Sequence, residues 1–215
     1  MQSKFIDTVI ACTFLLGIKV CADPIYLDYQ ATTPVDPRVL EFMLPYFTKD
    51  FGNPHSSTHI YGTRAHEAVE QARNKVAKVI NADPQEIIFT SGATEANNIA
   101  LLGTCRALKA KGKSEIISVI TEHKSVLETL KALEKEGFKI TLLPVQKNGI
   151  INLNDLRQAL SSKTALVSVM AANNEIGVLQ PIKDIAKLSH EYGALFHTDA
   201  AQAFGKIPLD VKKDK

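Results

Sequence analysis

The chain has 215 residues, room for one large domain or one domain and part of another at roughly 150 residues per domain. Its make-up, 45% hydrophobic, 22% charged and 7% aromatic, is that of a globular domain and excludes disordered, collagen-like and membrane-spanning classes. Lys plus Arg (25) against Asp plus Glu (23) gives a net charge of +2 without a basic block, so neither nucleic acid nor a membrane is the expected partner.

Residues 1 to 24 form an extension. Lys4 precedes an apolar stretch from Val9 to Leu16, the outline of a signal peptide, but Asp7 interrupts its front and no small-x-small cleavage pattern follows. The run is too short to span a bilayer, and an incidental extension is the expected reading. Cys12, Cys21 and Cys105 are too few and too widely spaced for a disulfide framework or a CxxC metal site, which points to a reducing compartment.

From Ile25 onward, short β-branched runs alternate with amphipathic stretches. The spacing predicts a helix over Arg64 to Ile80, with apolar residues at 65, 68, 69, 72, 76, 79 and 80. Asp83-Pro84 breaks it, and Ile87-Ile88-Phe89 reads as a buried strand. A helix follows from about Ala93 to Leu108, then a strand at Glu115 to Ile120 and a helix at Ser125 to Glu136, closed by Gly137. Lys139 to Leu143 is a strand, Leu153 to Leu160 a helix, and Ala165 to Met170 a strand. Pro181 opens a helix over Ile182 to Tyr192, and Ala194 to His197 is the last strand. The alternation predicts an α/β domain from residue 25 to residue 215, with a mostly parallel sheet and helices on both faces.

In such a sheet, ligands sit beyond the carboxyl ends of the strands. Four segments there are polar. Thr90 to Glu95 leads from a strand through Gly92 into a helix, so free amides lie beside the Ser91 and Thr94 hydroxyls. That suits a phosphate, although plain N-capping by Ser91 would explain the serine as well. Thr121-Glu122-His123 puts a histidine where it could stack on a planar ring or move a proton, or bond to backbone as an ordinary half-buried residue. Asn173-Asn174-Glu175-Ile176-Gly177 offers paired amides to a ligand oxygen, or an Asx turn. His197-Thr198-Asp199-Ala200-Ala201-Gln202 sets a carboxylate among alanines, where a protonated ring nitrogen or a lysine would be its partner. His55 and His59 stand four apart in a loop with no third ligand evident, so no metal is expected. A phosphate cradle, a stacking histidine, amide donors and a carboxylate for a ring nitrogen together fit pyridoxal 5'-phosphate (PLP).

These residues carry a family resemblance. Ile25-Tyr26-Leu27-Asp28-Tyr29, Ala31 to Arg38, Phe51 to Ser56, Ser91 to Glu95, Thr121 to Lys124, Asn173 to Gly177, His197 to Gln202 and Gly205 to Asp210, in that order, resemble the amino-terminal half of cysteine desulfurases of the IscS/NifS type. The resemblance implies a fold-type I PLP enzyme, in this chain the incomplete large domain, working as a homodimer. The family reaction takes sulfur from L-cysteine, leaves L-alanine, and passes a persulfide to iron–sulfur scaffold or other acceptor proteins, including those of tRNA thiolation. By motif position Ala93 and Thr94 would hold the phosphate, and His123 would stack on the ring and assist proton transfer. Asn174 and Gln202 would bond the phenolic oxygen side, and Asp199 would pair with the pyridine nitrogen.

The family's Ser-Gly-His-Lys motif, whose lysine forms the Schiff base, has no match in these 215 residues, and none of the three cysteines matches the persulfide-carrying one. The expectation is a truncated product, split-gene half or fragment, inactive alone. A non-catalytic remnant that binds a desulfurase or scaffold partner is the alternative, and a selenocysteine lyase is a third reading that the Glu122-His123-Lys124 and Asn173 to Gly177 motifs disfavour. The expected location is the cytoplasm, or the mitochondrial matrix in a eukaryote.

Overall fold

The computed structural model describes residues 24 to 213, so the apolar stretch from Val9 to Leu16, Cys12 and Cys21 lie outside the described residues. The chain divides into two units, Met1–Thr33 and Pro34–Lys215. In the described part of the first, the Tyr26 and Tyr29 rings meet edge to face at 5.3 Å, and Tyr26 Oη donates to the carbonyl of Asp28 at 2.8 Å.

The second unit opens with helix α1, Pro37–Thr48, which the spacing of apolar residues does not reveal. Its signal is local: Asp36 accepts from the Arg38 amide at 2.9 Å, and Pro37 occupies the first turn, where its missing N–H costs nothing. Helix α2, Ile60–Val79, starts one turn ahead of the predicted Arg64 because His59 caps it. Its Nδ1 accepts from the Gly62 amide at 3.2 Å.

A short 3-10 turn, Pro84–Glu86, follows. The predicted strand at Ile87 to Phe89 is a correction: the backbone is extended but no neighbouring strand pairs with it among the described residues, and Ile88 is 73% exposed. An apolar run supplies the propensity for a strand, whereas the ladder needs a partner.

The remaining elements match the predicted order to within a residue or two at most ends. Helix α3 is Ala93–Lys109, β1 Glu115–Val119, α4 Lys124–Lys135 and β2 Lys139–Leu143. Then come α5, Leu153–Ala159, β3, Thr164–Ser168, α6, Ile182–Glu191, and β4, Leu195–His197. The strands pair in the order β2-β1-β3-β4, all parallel.

Successive strand side chains point to opposite faces, and the core divides accordingly. Ile117, Val119, Val167 and Val169 pack with Leu156, Ile185 and Leu188 from α5 and α6. Ile116 and Leu166 pack on the other face with Leu101 and Cys105 of α3 and Val126, Leu130 and Leu133 of α4, and a register shift after Glu115 and Thr164 lets Ala165 join them. Burial on both faces explains why β1 and β3 read as continuous apolar runs. Because β2 and β3 flank β1 on opposite sides, the chain reverses its direction of travel at β1, and the loops leaving β1 and β3 part there. Such a reversal opens the crevice where α/β sheets take ligands.

Candidate functional site

The N-terminus of α3 is the first wall. Gly92 is its N-cap residue, and no side chain caps the helix. Ser91 does not play the capping part that its position allowed. Its hydroxyl and its amide both donate to Glu95 Oε2, at 2.8 and 2.6 Å, and these bonds hold the Glu95 carboxyl below its ordinary range. The first-turn amides, including those of Ala93 and Thr94, are left without a side-chain acceptor. Such amides at the positive end of a helix favour an anion.

Facing α3 is the loop after β1. His123 caps α4: its Nδ1 accepts from the Ser125 amide at 3.1 Å and lies 2.8 Å from Ser125 Oγ. The ring is exposed, not half-buried. Thr94, His123 and Ser125 border one cavity of about 440 Å³ together with Asn98, Glu128 and Thr129. A larger cavity of about 1120 Å³ lies between α1 and α2, lined by Phe42, Met43, Tyr46, Phe51 and other mainly apolar side chains. It shares no residue with the first, and Arg38, Asp50, Gln71 and Lys75 are the polar members of its lining.

Asp199, just beyond β4, is 7% exposed. Its Oδ1 accepts from the Ala201 amide at 2.9 Å and its Oδ2 from Asn97 Nδ2 at 2.8 Å. Neutral amides hold this buried carboxylate; no lysine or arginine pairs with it among the described residues, so the structural salt bridge that was its bland alternative is not what satisfies it. Asn97, itself 4% exposed, gives its amide also to Ser125 Oγ at 3.0 Å.

Next to this carboxylate are two unsatisfied groups. Glu122, 6% exposed, accepts from the Met170 amide at 2.6 Å through Oε1, while its Oε2 and Thr198 Oγ1 are buried without a hydrogen-bond partner. Burial pushes the Glu122 carboxyl up to about 8, the Met170 amide opposing and the nearby Asp199 charge adding to the rise. Behind them His197 Nδ1 lies 2.9 Å from Ser168 Oγ, and burial lowers that ring's proton affinity.

The paired asparagines divide their roles. Asn173 is buried and makes the Asx turn, its Oδ1 accepting from the amides of Glu175 and Ile176 at 2.9 and 3.0 Å. Asn174 is half-buried and donates to Glu175 Oε1 at 2.9 Å. Gln202 is half-buried three residues after Asp199, and its Oε1 accepts from Lys206 Nζ at 2.9 Å.

With this geometry in hand, comparison with known proteins is decisive. The sequence profile of the family described as aminotransferase class-V matches residues 25 to 215. The chain belongs to the class-V aminotransferase family. Within it, the cysteine desulfurase IscS of Rickettsia massiliae is 59% identical over 190 residues, covering 88% of this chain and 46% of that protein. A probable mitochondrial cysteine desulfurase of Dictyostelium discoideum is 57% identical over 195 residues, 91% of this chain and 43% of the other. A solved NifS-like protein superposes with a TM-score of 0.86 at 42% identity, over 90% of this chain and 53% of that one. The structure of SspA in complex with cysteine gives 0.84 at 40%, over 89% and 55%.

This chain is therefore a class-V aminotransferase of the cysteine desulfurase branch, with the fold-type I architecture, and it spans about half the length of the curated relatives it matches. The family depends on PLP. Of the residues expected at the site, the fold gathers Thr94 and His123 on one cavity and links His123 to Asp199 through Asn97 and Ser125. Asn174 and Gln202 stand in the loops after β3 and β4, each engaged by a neighbour along the chain. Asn97 and Ser125 carry no local sign of belonging to the class-V site, and nothing local to the Thr121 to Lys124 motif marks Glu122 as buried. Cys105 is fully buried on α3, its thiol pushed up to about 12 by burial, so it is no nucleophile at neutral pH.

Proposed function

We propose that residues 25 to 215 form the PLP-binding part of an L-cysteine desulfurase. The observation that carries this reading is Asp199: a buried carboxylate just beyond β4, satisfied on two sides by neutral amides and, among the described residues, by no cation. A pyridinium nitrogen is the partner such a group lacks. The donor set suits the rest of the cofactor. Open amides at α3 match a phosphate, an exposed imidazole fixed through Nδ1 matches a ring face, and two buried unpartnered oxygens at the strand ends match a site that is completed by a polar ligand.

In this reading Ala93 and Thr94 bind the phosphate. His123 packs on the ring and moves a proton at its outward nitrogen, Nε2. Asp199 keeps the pyridine nitrogen protonated, and Asn174 and Gln202 orient the phenolic oxygen side. When bound, PLP supplies an electron sink that weakens the bonds at the α-carbon of an amino acid. L-cysteine is the substrate, and a second copy of the chain, iron–sulfur scaffolds or other sulfur acceptors are the partners. The bacterial and mitochondrial relatives support cytoplasm or mitochondrial matrix as the location.

Within these 215 residues no lysine stands in the Ser-Gly-His-Lys context, so the chain by itself holds PLP without a covalent link. Titrating PLP into the 215-residue chain should give a saturable change in visible circular dichroism. Borohydride should leave no cofactor attached, and L-cysteine should yield neither alanine nor sulfide. Failure to saturate would overturn the cofactor assignment; reductive trapping of PLP would overturn the non-covalent one.

A further inference from the structure

We propose that Asn97 and Ser125 are positioning residues that lock the carboxylate of Asp199 to the imidazole of His123 through one hydrogen-bond relay and thereby fix the tautomer of that ring. The inference deepens the PLP reading and rests on it for its functional meaning, while the relay itself stands on geometry alone.

The direction of every bond in the relay follows from what each group can donate. An ionised carboxylate only accepts, so the side of Asn97 that faces Asp199 Oδ2 at 2.8 Å has to be its NH₂ group. The opposite amide orientation would set oxygen against oxygen. An NH₂ group has two protons, and the second points to Ser125 Oγ at 3.0 Å. Having accepted there, the Ser125 hydroxyl gives its own proton to His123 Nδ1, 2.8 Å away. The backbone amide of Ser125 donates to the same nitrogen at 3.1 Å. With two donors aimed at it, Nδ1 has no room for a proton, and in the neutral ring the proton belongs on Nε2.

Asp199 therefore sets the amide of Asn97, the amide sets the serine hydroxyl, and the hydroxyl sets the histidine. The four side chains come from the first turns of α3, the start of α4 and the segment just beyond β4, so the relay also ties together the three elements that would contact the phosphate, the face and the nitrogen of the cofactor. Asn97 is 4% exposed and Asp199 7%, so water does not compete for their bond. A helix-interior asparagine costs helix propensity, and burying one is tolerated only where its hydrogen bonds are made.

Two readouts on the 215-residue chain separate this from the cofactor assignment. The first uses no ligand: nitrogen-15 spectra of the histidine rings in alkaline buffer, with His123 assigned by its loss in His123→Asn. The wild-type ring should be a single Nε2–H tautomer. Ser125→Ala keeps the backbone amide on Nδ1 and loses only the hydroxyl donor, so in it and in Asn97→Leu the Nδ1 signal should shift toward that of a less strongly hydrogen-bonded acceptor, and Ser125→Thr, which keeps a hydroxyl, should retain the wild-type signal. The second is PLP affinity, expected to fall about tenfold in Ser125→Ala and Asn97→Leu and to recover in Ser125→Thr, as for loss of one hydrogen bond to a charged group. An Nδ1 signal unchanged in Ser125→Ala, with the circular dichroism of the fold intact, would overturn the relay even if Asn97→Leu failed to fold. A wild-type chain that binds no PLP but whose Nδ1 signal responds to Ser125→Ala would overturn the cofactor reading and leave the relay standing.

Discussion

Asp199→Asn is expected to weaken PLP binding by one to two orders of magnitude while leaving the shape of the side chain intact. Hydrogen bonds to charged groups are worth about 1.5–3 kcal/mol, which converts to about tenfold to more than a hundredfold in affinity. The substitution removes the charge that would hold a proton on the ring nitrogen. It also creates a local conflict. Asp199 offers two acceptor oxygens, one to the Ala201 amide and one to Asn97, and an asparagine has a single acceptor. One of the two donors must then face an NH₂ group. The fold should lose about 1–3 kcal/mol from that buried mismatch, visible as a lower denaturation midpoint without cofactor. Affinity unchanged within error would remove Asp199 from the ring nitrogen, whatever happened to stability.

The second large effect concerns Glu122. In the native chain its carboxyl stays protonated up to about pH 8, while in the unfolded chain it ionises near its ordinary value of 4.5. Between those two values the native state retains a proton that the unfolded state has released, so stability falls as pH rises, by as much as about 1.4 kcal/mol per pH unit. Below about 4.5 both states are neutral and the contribution is constant. Glu122→Gln keeps an oxygen to accept from the Met170 amide and cannot ionise. Its denaturation midpoint should therefore exceed that of the wild type at pH 8 and converge with it near pH 4.5, once the other titrating groups, common to both proteins, are subtracted. Parallel curves across that range would show that Glu122 is ionised in the native state and finds a partner there.

Much of the α/β order was legible because its signals are local. The period of 3.6 in α2, Gly137 closing α4, Pro181 ahead of α6, and the apolar runs of β1 and β3 fix the type of each element, and the position too except for the first turn of α2. Helix α1 was legible in principle from Asp36-Pro37, but Pro45 within it and the scatter of its apolar residues hid the period. Ile87 to Phe89 shows the opposite failure, since propensity cannot say whether a neighbour exists. At the site, His123, Asn174, Asp199 and Gln202 stand beyond strand ends, a place that topology makes special, while Ala93 and Thr94 stand at a helix start after an unpaired segment. Glu122 stands in the Thr121 to Lys124 motif, but an acid in a polar segment gives no local sign of burial, and its partner, the Met170 amide, lies 48 residues away. Asn97 lies inside a helix, where asparagines ordinarily face water, and its partner Asp199 is 102 residues away. Ser91 was the reverse case: its position allowed a cap, yet Glu95, a turn further on, took its hydroxyl.

The strand order also sets which contacts are local. β1 meets β2 across a single helical crossover, Glu115 opposite Lys139, whereas Asp199 reaches the amide of Asn97 from 102 residues further along the chain. Closing so long a loop is entropically costly, and contacts of that kind slow the folding that depends on them. A ligand gripping both Thr94 and Asp199 would therefore act as a clasp on the least local contact of the site, drawing its two ends together by mass action.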